Sequence, residues 1–308
     1  MIQASRVARA AAVALGAAAV AALLGCASPA SAPPKVVATP GCLSDTQVDE
    51  WMASYRARQP ATNPPETMTA ADAACTRARV QQRLGQQYGP LVGYKAGLTN
   101  PAVQKRFNTD QPVWGALYQD MLLPNGAEVS AAFGARALFE ADLLVRVKDA
   151  GINNATTPAE VLAHVSEIIP FIELPDLVVQ TPPKLNGNGV TAINVGARMG
   201  VTGTPLAVPQ DAAGQARLLD QLQGMNVRLT DAQGTQLDSG KGSDVLGQPL
   251  NAVVWLGNAL KSQGLAMQPG QVISLGSFSK LLPPKAGLKV TVSYDGVPGL
   301  QPASVQFR

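Results

Sequence analysis

The chain has 308 residues, 46% of them hydrophobic, which is enough to bury a sizeable core and excludes an intrinsically disordered protein. Its 29 glycines and 24 prolines favour a turn-rich fold with several strands over a helical bundle. The formal net charge of +3 drops to +1 once Arg6 and Arg9 are set aside, and no Lys/Arg cluster interleaved with aromatics remains, so nucleic-acid binding has no electrostatic support.

Residues 1–25 read as a secretory signal: a basic start without acids, "MIQASRVARA", then the short apolar run "AAVALGAAAVAALL". "LLGC", Leu23 to Cys26, resembles the lipobox of bacterial lipoproteins. That resemblance implies cleavage before Cys26 and lipid on its thiol and new amino terminus. An ordinary signal peptide and a retained anchor are the alternatives. Ala27 stands where an Asp would signal inner-membrane retention, so the expectation is a lipid anchor on the periplasmic face of the outer membrane. Residues 26–41, rich in Ala, Ser and Pro, read as an extended tether. Cys42 and Cys75 remain, and an oxidising compartment favours a disulfide between them over two buried thiols. With one His and no third free Cys, a Cys/His metal centre is disfavoured.

Ser44 with Gln47 forms a capping-box pattern ahead of Val48, Trp51, Met52 and Tyr55 at helical spacing. Thr69 and Asp72 repeat the start signal for a helix to about Leu84, so residues 42–90 read as a small helical subdomain. From Leu91 to the C-terminus the texture changes to short strands, turns and interspersed helices, which makes the class α+β. "VLAHVSEII" is expected to be a helix, opened by Thr157, Pro158 and Glu160. Pro170 and Pro175 then bracket a short extended segment. Residues 226–241 read as a hairpin, "QPLNAVVWLGNALKSQG" as a helix ending at Gly264, and "QVISLG" as a strand. The last hairpin is expected to turn at Asp295-Gly296.

In "LFEADLLV" (138–145) Glu140 and Asp142 interrupt an apolar run. As a helix the run would be apolar around too much of its circumference for a surface position; as a strand both acids share one face. Two like charges on one face repel unless a cation lies between them or one is protonated. Glu173, in "PFIELP", is a third acid flanked by apolar residues. Three carboxylates without histidine suit a hard cation, Mg²⁺ or Mn²⁺. Pairing with Arg136, Arg146 or Arg198 is the competing reading.

Seven segments in order, "GYKAGLTN" (93–100), "DQPVWGALYQDM" (110–121), "FEADLLV" (139–145), "IIPFIEL" (168–174), "AINVGARMG" (192–200), "SGKGSDVLGQPLNAVVWL" (239–256) and "GQVISLGS" (270–277), resemble the 2-oxopent-4-enoate hydratase and 4-oxalocrotonate decarboxylase group of the fumarylacetoacetate hydrolase-like superfamily. The resemblance covers about Leu91 to the C-terminus. It implies a mixed β-roll or sandwich with flanking helices over residues 91–308, following the helical subdomain. It also implies a divalent metal, Mg²⁺ or Mn²⁺, on Glu140, Asp142 and Glu173, with Asp142 one methylene shorter than the family's acid. Lys95 falls on the family's active-site lysine; Asn194, Lys241, Ser243 and Ser277 fall near the substrate. The implied activity is that of a lyase on a small 2-oxo or 2-hydroxydienoic acid, with the metal stabilising an enolate as water adds or carbon dioxide leaves. Oligomerisation is implied by the resemblance alone.

The sequence also departs from the family. Val113 stands where an acid carries protons, which points away from simple hydration; Asp120 and Asp110 are the nearby substitutes. Ile193, Gln248 and Leu275 replace further polar residues. His164, on an expected helix, reads as packing or surface. Export is unusual for such an enzyme, so a periplasmic binding or accessory lipoprotein of weak activity is the second reading.

Overall fold

The computed structural model describes Met1 and residues 38–308; Cys26 and the leader and tether up to residue 37 lie outside the described residues. In chain order the elements are α1 (Asp45–Ala57), α2 (Ala70–Tyr88), β1 (Leu91–Gly97), α3 (Pro101–Arg106), β2 (Val113–Tyr118), β3 (Leu122–Pro124), β4 (Glu128–Val129), β5 (Glu140–Val147), α4 (Pro158–Ala163), β6 (Val165–Leu174), α5 (Gly187–Ala192), β7 (Met199–Thr202), β8 (Leu206–Ala207), α6 (Ala212–Gly224), β9 (Asn226–Thr230), β10 (Gln236–Lys241), α7 (Asn251–Lys261), β11 (Val272–Ser274), β12 (Lys289–Asp295) and β13 (Ala303–Phe307).

Both N-terminal helices start as their sequences dictate. Ser44 and Thr69 accept from the backbone N–H three residues on, and Gln47 and Asp72 reach back to the cap N–H. Asp72 also accepts from Thr39 and Gly41, and the Thr39 and Thr69 hydroxyls hold its carboxyl down at about 2. The apolar faces of α1 and α2 pack in one cluster with Ala116, Phe171, Val178 and Ile193 from the strands and turns that follow. Cys42 and Cys75 form a disulfide with Cα atoms 5.7 Å apart, closing a span of 33 residues. Replacing both cysteines with serine is expected to cost about 3–4 kcal/mol by loop entropy. A thermal melt of the double variant under oxidising conditions checks this; an unchanged midpoint contradicts it.

Two sheets make up the body. The larger runs β2-β1-β11-β5-β6-β7-β3 with β8 added to β6, and the smaller runs β10-β9-β12-β13-β4. Side chains from both, including Leu143, Ile172, Leu229, Val292 and Val305, meet in one apolar core, with α6 and α7 contributing Leu222 and Leu256. This is the expected α+β sandwich with flanking helices. The β9–β10 hairpin forms as expected, Thr230 facing Gln236. The β12–β13 pair also forms, but its strands are joined by residues 296–302 rather than by a two-residue turn at Asp295-Gly296.

One expectation fails in a way that matters for the site. The helix expected through "VLAHVSEII" ends at Ala163, and Val165–Leu174 is a ten-residue strand that continues through Pro170. Two β-branched isoleucines next to a proline favour extended backbone. The strand is sandwiched between β5 and β7, so it is apolar on both faces and carries no alternation to mark it. This strand puts Glu173 directly across from Glu140.

Candidate metal centre and cavity

The strand reading of residues 138–148 holds over Glu140–Val147, and it explains why the segment is so apolar. β5 lies in the middle of the larger sheet with nearly every residue buried. Ala141, Leu143, Val145 and Val147 point into the inter-sheet core. Glu140, Asp142 and Leu144 point to the other face, where Phe171 and Ile169 of β6 stand beside them. Glu140, Asp142 and Glu173 are 9%, 0% and 2% exposed, so this face carries three acids almost wholly removed from water.

The cation that meets them is Lys95 of β1. Its ammonium, 2% exposed, forms an ion pair with Glu173 and donates to the Val195 carbonyl at 3.0 Å. The three arginines weighed from sequence are occupied elsewhere. Arg146 pairs with Glu167, Arg198 with buried Asp176, and Arg136 donates to the carbonyls of Val179 and Gln180. One lysine against three buried carboxylates leaves an excess of negative charge that a proton or a cation must relieve. Burial, and then the charge of Glu173, pushes the Glu140 carboxyl well above the usual carboxylate range. The same two causes raise Asp142 to about 7, against hydrogen bonds from Ser274 and Leu143.

Glu140 and Asp142 thus bind protons in the folded chain that they release when unfolded. A carboxyl raised on folding stabilises below its unfolded value and loses that contribution as pH rises through the folded one. The metal-free protein is therefore expected to lose stability between about pH 4 and pH 7, at up to about 1.4 kcal/mol per pH unit and group. Urea melts of chelator-treated protein at pH 5 and pH 8 check the sign; equal or higher stability at pH 8 contradicts it.

Glu140, Glu173 and Lys95 open onto a cavity of about 520 Å³. Its walls come from the end of β1 and the following turn (Gly97–Asn100), from α3 and Phe107, from Pro175 and Leu177 after β6, from Val190 and Val195, from Asp238, Ser239 and Asp244, and from Ser277–Leu282. Asp142 does not reach it. Its Oδ1 accepts from the N–H of Gly276 at 3.0 Å and of Leu143 at 2.5 Å, and its Oδ2 accepts from Ser274 Oγ at 2.5 Å. Gly276 can approach this closely because it sits at φ 99°, where a Cβ would lie 2.2 Å from Thr99 Oγ1. The shorter acid therefore sits behind the cavity wall, pinned by the β11 end. Among the described residues no group of three His, Cys, Asp or Glu side chains converges on one point. At the buried end of the cavity the donor set is two opposed carboxylate side chains, Glu140 and Glu173. All are oxygen donors in a site with excess negative charge, which fits a hard divalent cation that keeps several positions for water or substrate.

Ser277 also lines the cavity, as expected, although its Oγ donates to the Ser279 carbonyl at 2.7 Å. The other candidates lie outside the cavity wall. Asn194 is fully buried, and its carboxamide is spent on the N–H and C=O of Ala116 and on Gln81, so it fixes the turn that presents Val195 O to Lys95. Lys241 and Ser243 are exposed and outside the cavity wall; their neighbour Asp244 is the residue that faces in, accepting from Lys241 N–H. Asp120 is exposed in the turn after β2, beside Gly89, whereas the cavity lies at the Gly97 end of β1. Asp110 is likewise exposed and outside the wall. Val113 and Ile193 are buried, and Gln248 accepts from Leu250 N–H, so none of these departures returns a polar group to the cavity. His164 lies half-buried at the end of α4 beside Asp149 and outside the cavity wall.

Sequence reasoning missed Asp238 and Asp244 as cavity acids. Asp238 is an isolated acid in a hairpin whose register slips between Gln236 and Asp238, and nothing in its neighbours marks the slip. Its Oδ2 accepts from Lys280 N–H at 2.6 Å, which ties the hairpin to the Ser277–Leu282 wall.

No family model matches the chain. The chain is 27% identical over 236 residues, 77% of its length, to 4-oxalocrotonate decarboxylase of Pseudomonas putida, covering 86% of that protein. It is 28% identical over 265 residues, 84% of its length, to 2-hydroxyhexa-2,4-dienoate hydratase of Comamonas testosteroni, covering 94% of it. Among solved structures, 4-oxalocrotonate decarboxylase from Pseudomonas putida G7, complexed with magnesium and adipate, superposes with a TM-score of 0.75 at 23% identity, covering 86% of this chain and 99% of that one. The chain is thus similar in sequence to proteins named as hydratases and decarboxylases, and has the fold of 4-oxalocrotonate decarboxylase.

Proposed function

We propose that the protein is a divalent-metal-dependent lyase of the hydratase or decarboxylase type, acting on a 2-oxo or 2-hydroxydienoic acid. The observation that carries this is Glu140 facing Glu173 beside Lys95 at the buried end of a cavity. The relatives support the reaction class: they are named as enzymes that hydrate or decarboxylate such acids. In this reading Glu140 and Glu173 hold Mg²⁺ or Mn²⁺, as the magnesium complex of the related decarboxylase suggests. When bound, the metal would chelate the carboxylate and 2-oxo group and stabilise negative charge that develops on the oxygen.

The chain's own residues do the rest. Lys95 offsets the charge of Glu173 and sits close enough to the substrate head to bind its carboxylate or to give a proton. Asp142, fixed by Ser274 and Gly276, adds negative charge behind Glu140 without entering the cavity. Asp238 and Asp244 supply acids to the cavity in place of the one that Val113 lacks. The apolar remainder of the wall keeps water from the metal end. Incubating the full chain with Mg²⁺ and a panel of 2-hydroxydienoic and 2-oxo-enedioic acids tests the proposal. Metal-dependent loss of the conjugated ultraviolet absorption is expected; no change across the panel contradicts it. Lipid attachment at Cys26 and the periplasmic location remain part of the proposal, tested by loss of labelled lipid in Cys26→Ala.

A further inference from the structure

Resting on the reading just given, we infer that the substrate is a monocarboxylic 2-oxo acid whose far end is an extended apolar chain, and that the cavity selects against a second carboxylate. Burial sets the direction of the cavity. Lys95 and Glu173 are each 2% exposed at one end, while Ala102, Val103 and Arg106 of α3 are exposed at the other. A head group chelated at the acids therefore leaves its tail running toward α3. The wall along that path is predominantly apolar: Leu98, Phe107, Leu177, Val190, Leu281 and Leu282. Val103 is one of only two large hydrophobics that are exposed among the described residues, the other being Met1, and it lies at the mouth. A volume of about 520 Å³ is within the range that encloses a drug-sized ligand, more than a five-carbon acid fills.

The charges point the same way. Lys95 is committed to Glu173, and Lys280 has its ammonium 3.8 Å from Asp238. Asp238 and Asp244 add two further acids to the wall. A second carboxylate would meet these acids and an apolar surface, with exposed Arg106 and the solvent-exposed Lys280 as the cations in the wall. The consequence for the reaction is direct. With the head carboxylate retained, carbon dioxide can leave only from a second carboxylate, so the cavity favours addition of water over decarboxylation. That reverses the leaning drawn from Val113.

Binding, rather than turnover, tests this. The full chain with saturating Mg²⁺ is titrated in a calorimeter with oxalate, 2-oxooctanoate and 2-oxooctanedioate. The last two share chain length and differ at the far end. Oxalate reports the chelated head alone; if it does not bind, the metal-site reading itself fails. If oxalate binds, 2-oxooctanoate is expected to bind at least about tenfold more tightly than the diacid, since the two carry the same methylenes and only the diacid brings a charged group against the apolar wall. Val103→Lys, at an exposed position that tolerates the change, is expected to narrow that preference by at least about threefold, from the diacid side. A diacid that binds as tightly as 2-oxooctanoate, or tighter and lost in Arg106→Gln, overturns the inference. So does failure of both long acids to bind, or a Val103→Lys variant with unchanged preference.

Discussion

Lys95→Met is expected to destabilise the metal-free protein by about 3–5 kcal/mol, the range for removing one partner of a buried ion pair. The reason lies in what the lysine leaves behind. Glu173 is 2% exposed, and its carboxylate would lose the ammonium while still facing Glu140 across the strand pair. The Val195 carbonyl would lose its donor as well. One accompanying effect separates this account from simple loss of packing by the lysine stem. Mg²⁺ should raise the melting temperature of the variant more than that of the wild type, because a bound cation replaces the missing charge. Thermal melts with and without Mg²⁺ at pH 8 read both, and an unchanged midpoint contradicts the account.

Glu140→Gln is expected to have the opposite effect on stability and the largest effect on metal. The carboxyl of Glu140 is held in a buried position beside Glu173 that penalises its charge. Replacing it with a neutral isostere removes that penalty, so the metal-free variant should melt at or above the wild-type temperature at pH 8. Metal affinity should fall by more than about 100-fold, beyond what loss of an outer partner produces, and lyase activity should fall with it. Asp142→Asn is the informative contrast. Asp142 faces away from the cavity and accepts three hydrogen bonds, which an amide oxygen and an NH₂ group cannot all reproduce. That variant should lose stability by about 1–3 kcal/mol while changing metal affinity by less than about tenfold. Melting curves and metal titrations of the two variants side by side decide it: a larger loss of metal in Asp142→Asn than in Glu140→Gln would place the ligand on the wrong acid.

The strand at Glu140 and its shared acid face were legible in the sequence, because a run that apolar and that short fits only a central strand once charged residues appear on one parity. The caps at Ser44 and Thr69 and the Cys42–Cys75 pair were legible because each is a local signal or an arithmetic one. The strand at Val165–Leu174 was not legible. A short helix and a doubly buried strand share one continuous apolar run there, and only pairing with β5 and β7 separates them. Motif position also misled at Asn194, Lys241 and Ser243. Sharing a segment with the substrate end does not say which way a side chain turns, and Asn194 turns inward to hold Ala116. Asp238 and Asp244 reach the cavity through tertiary contact between the β9–β10 hairpin and the Ser277–Leu282 wall, which no pattern within either segment encodes. Lys95 was visible as a motif residue, but its partner was not: the sequence offered three arginines for the acids, and the fold supplied the lysine.

The central claim is that Glu140 and Glu173 together hold one hard divalent cation at the buried end of the cavity. Calorimetric titration of Mn²⁺ into chelator-treated full chain at pH 7.5 tests it most directly. The account predicts about one Mn²⁺ bound per chain in the wild type, and no measurable binding in Glu140→Gln or in Glu173→Gln, provided both variants melt cooperatively. Absence of Mn²⁺ uptake by the wild type, or uptake of equal strength in the two variants, would contradict it.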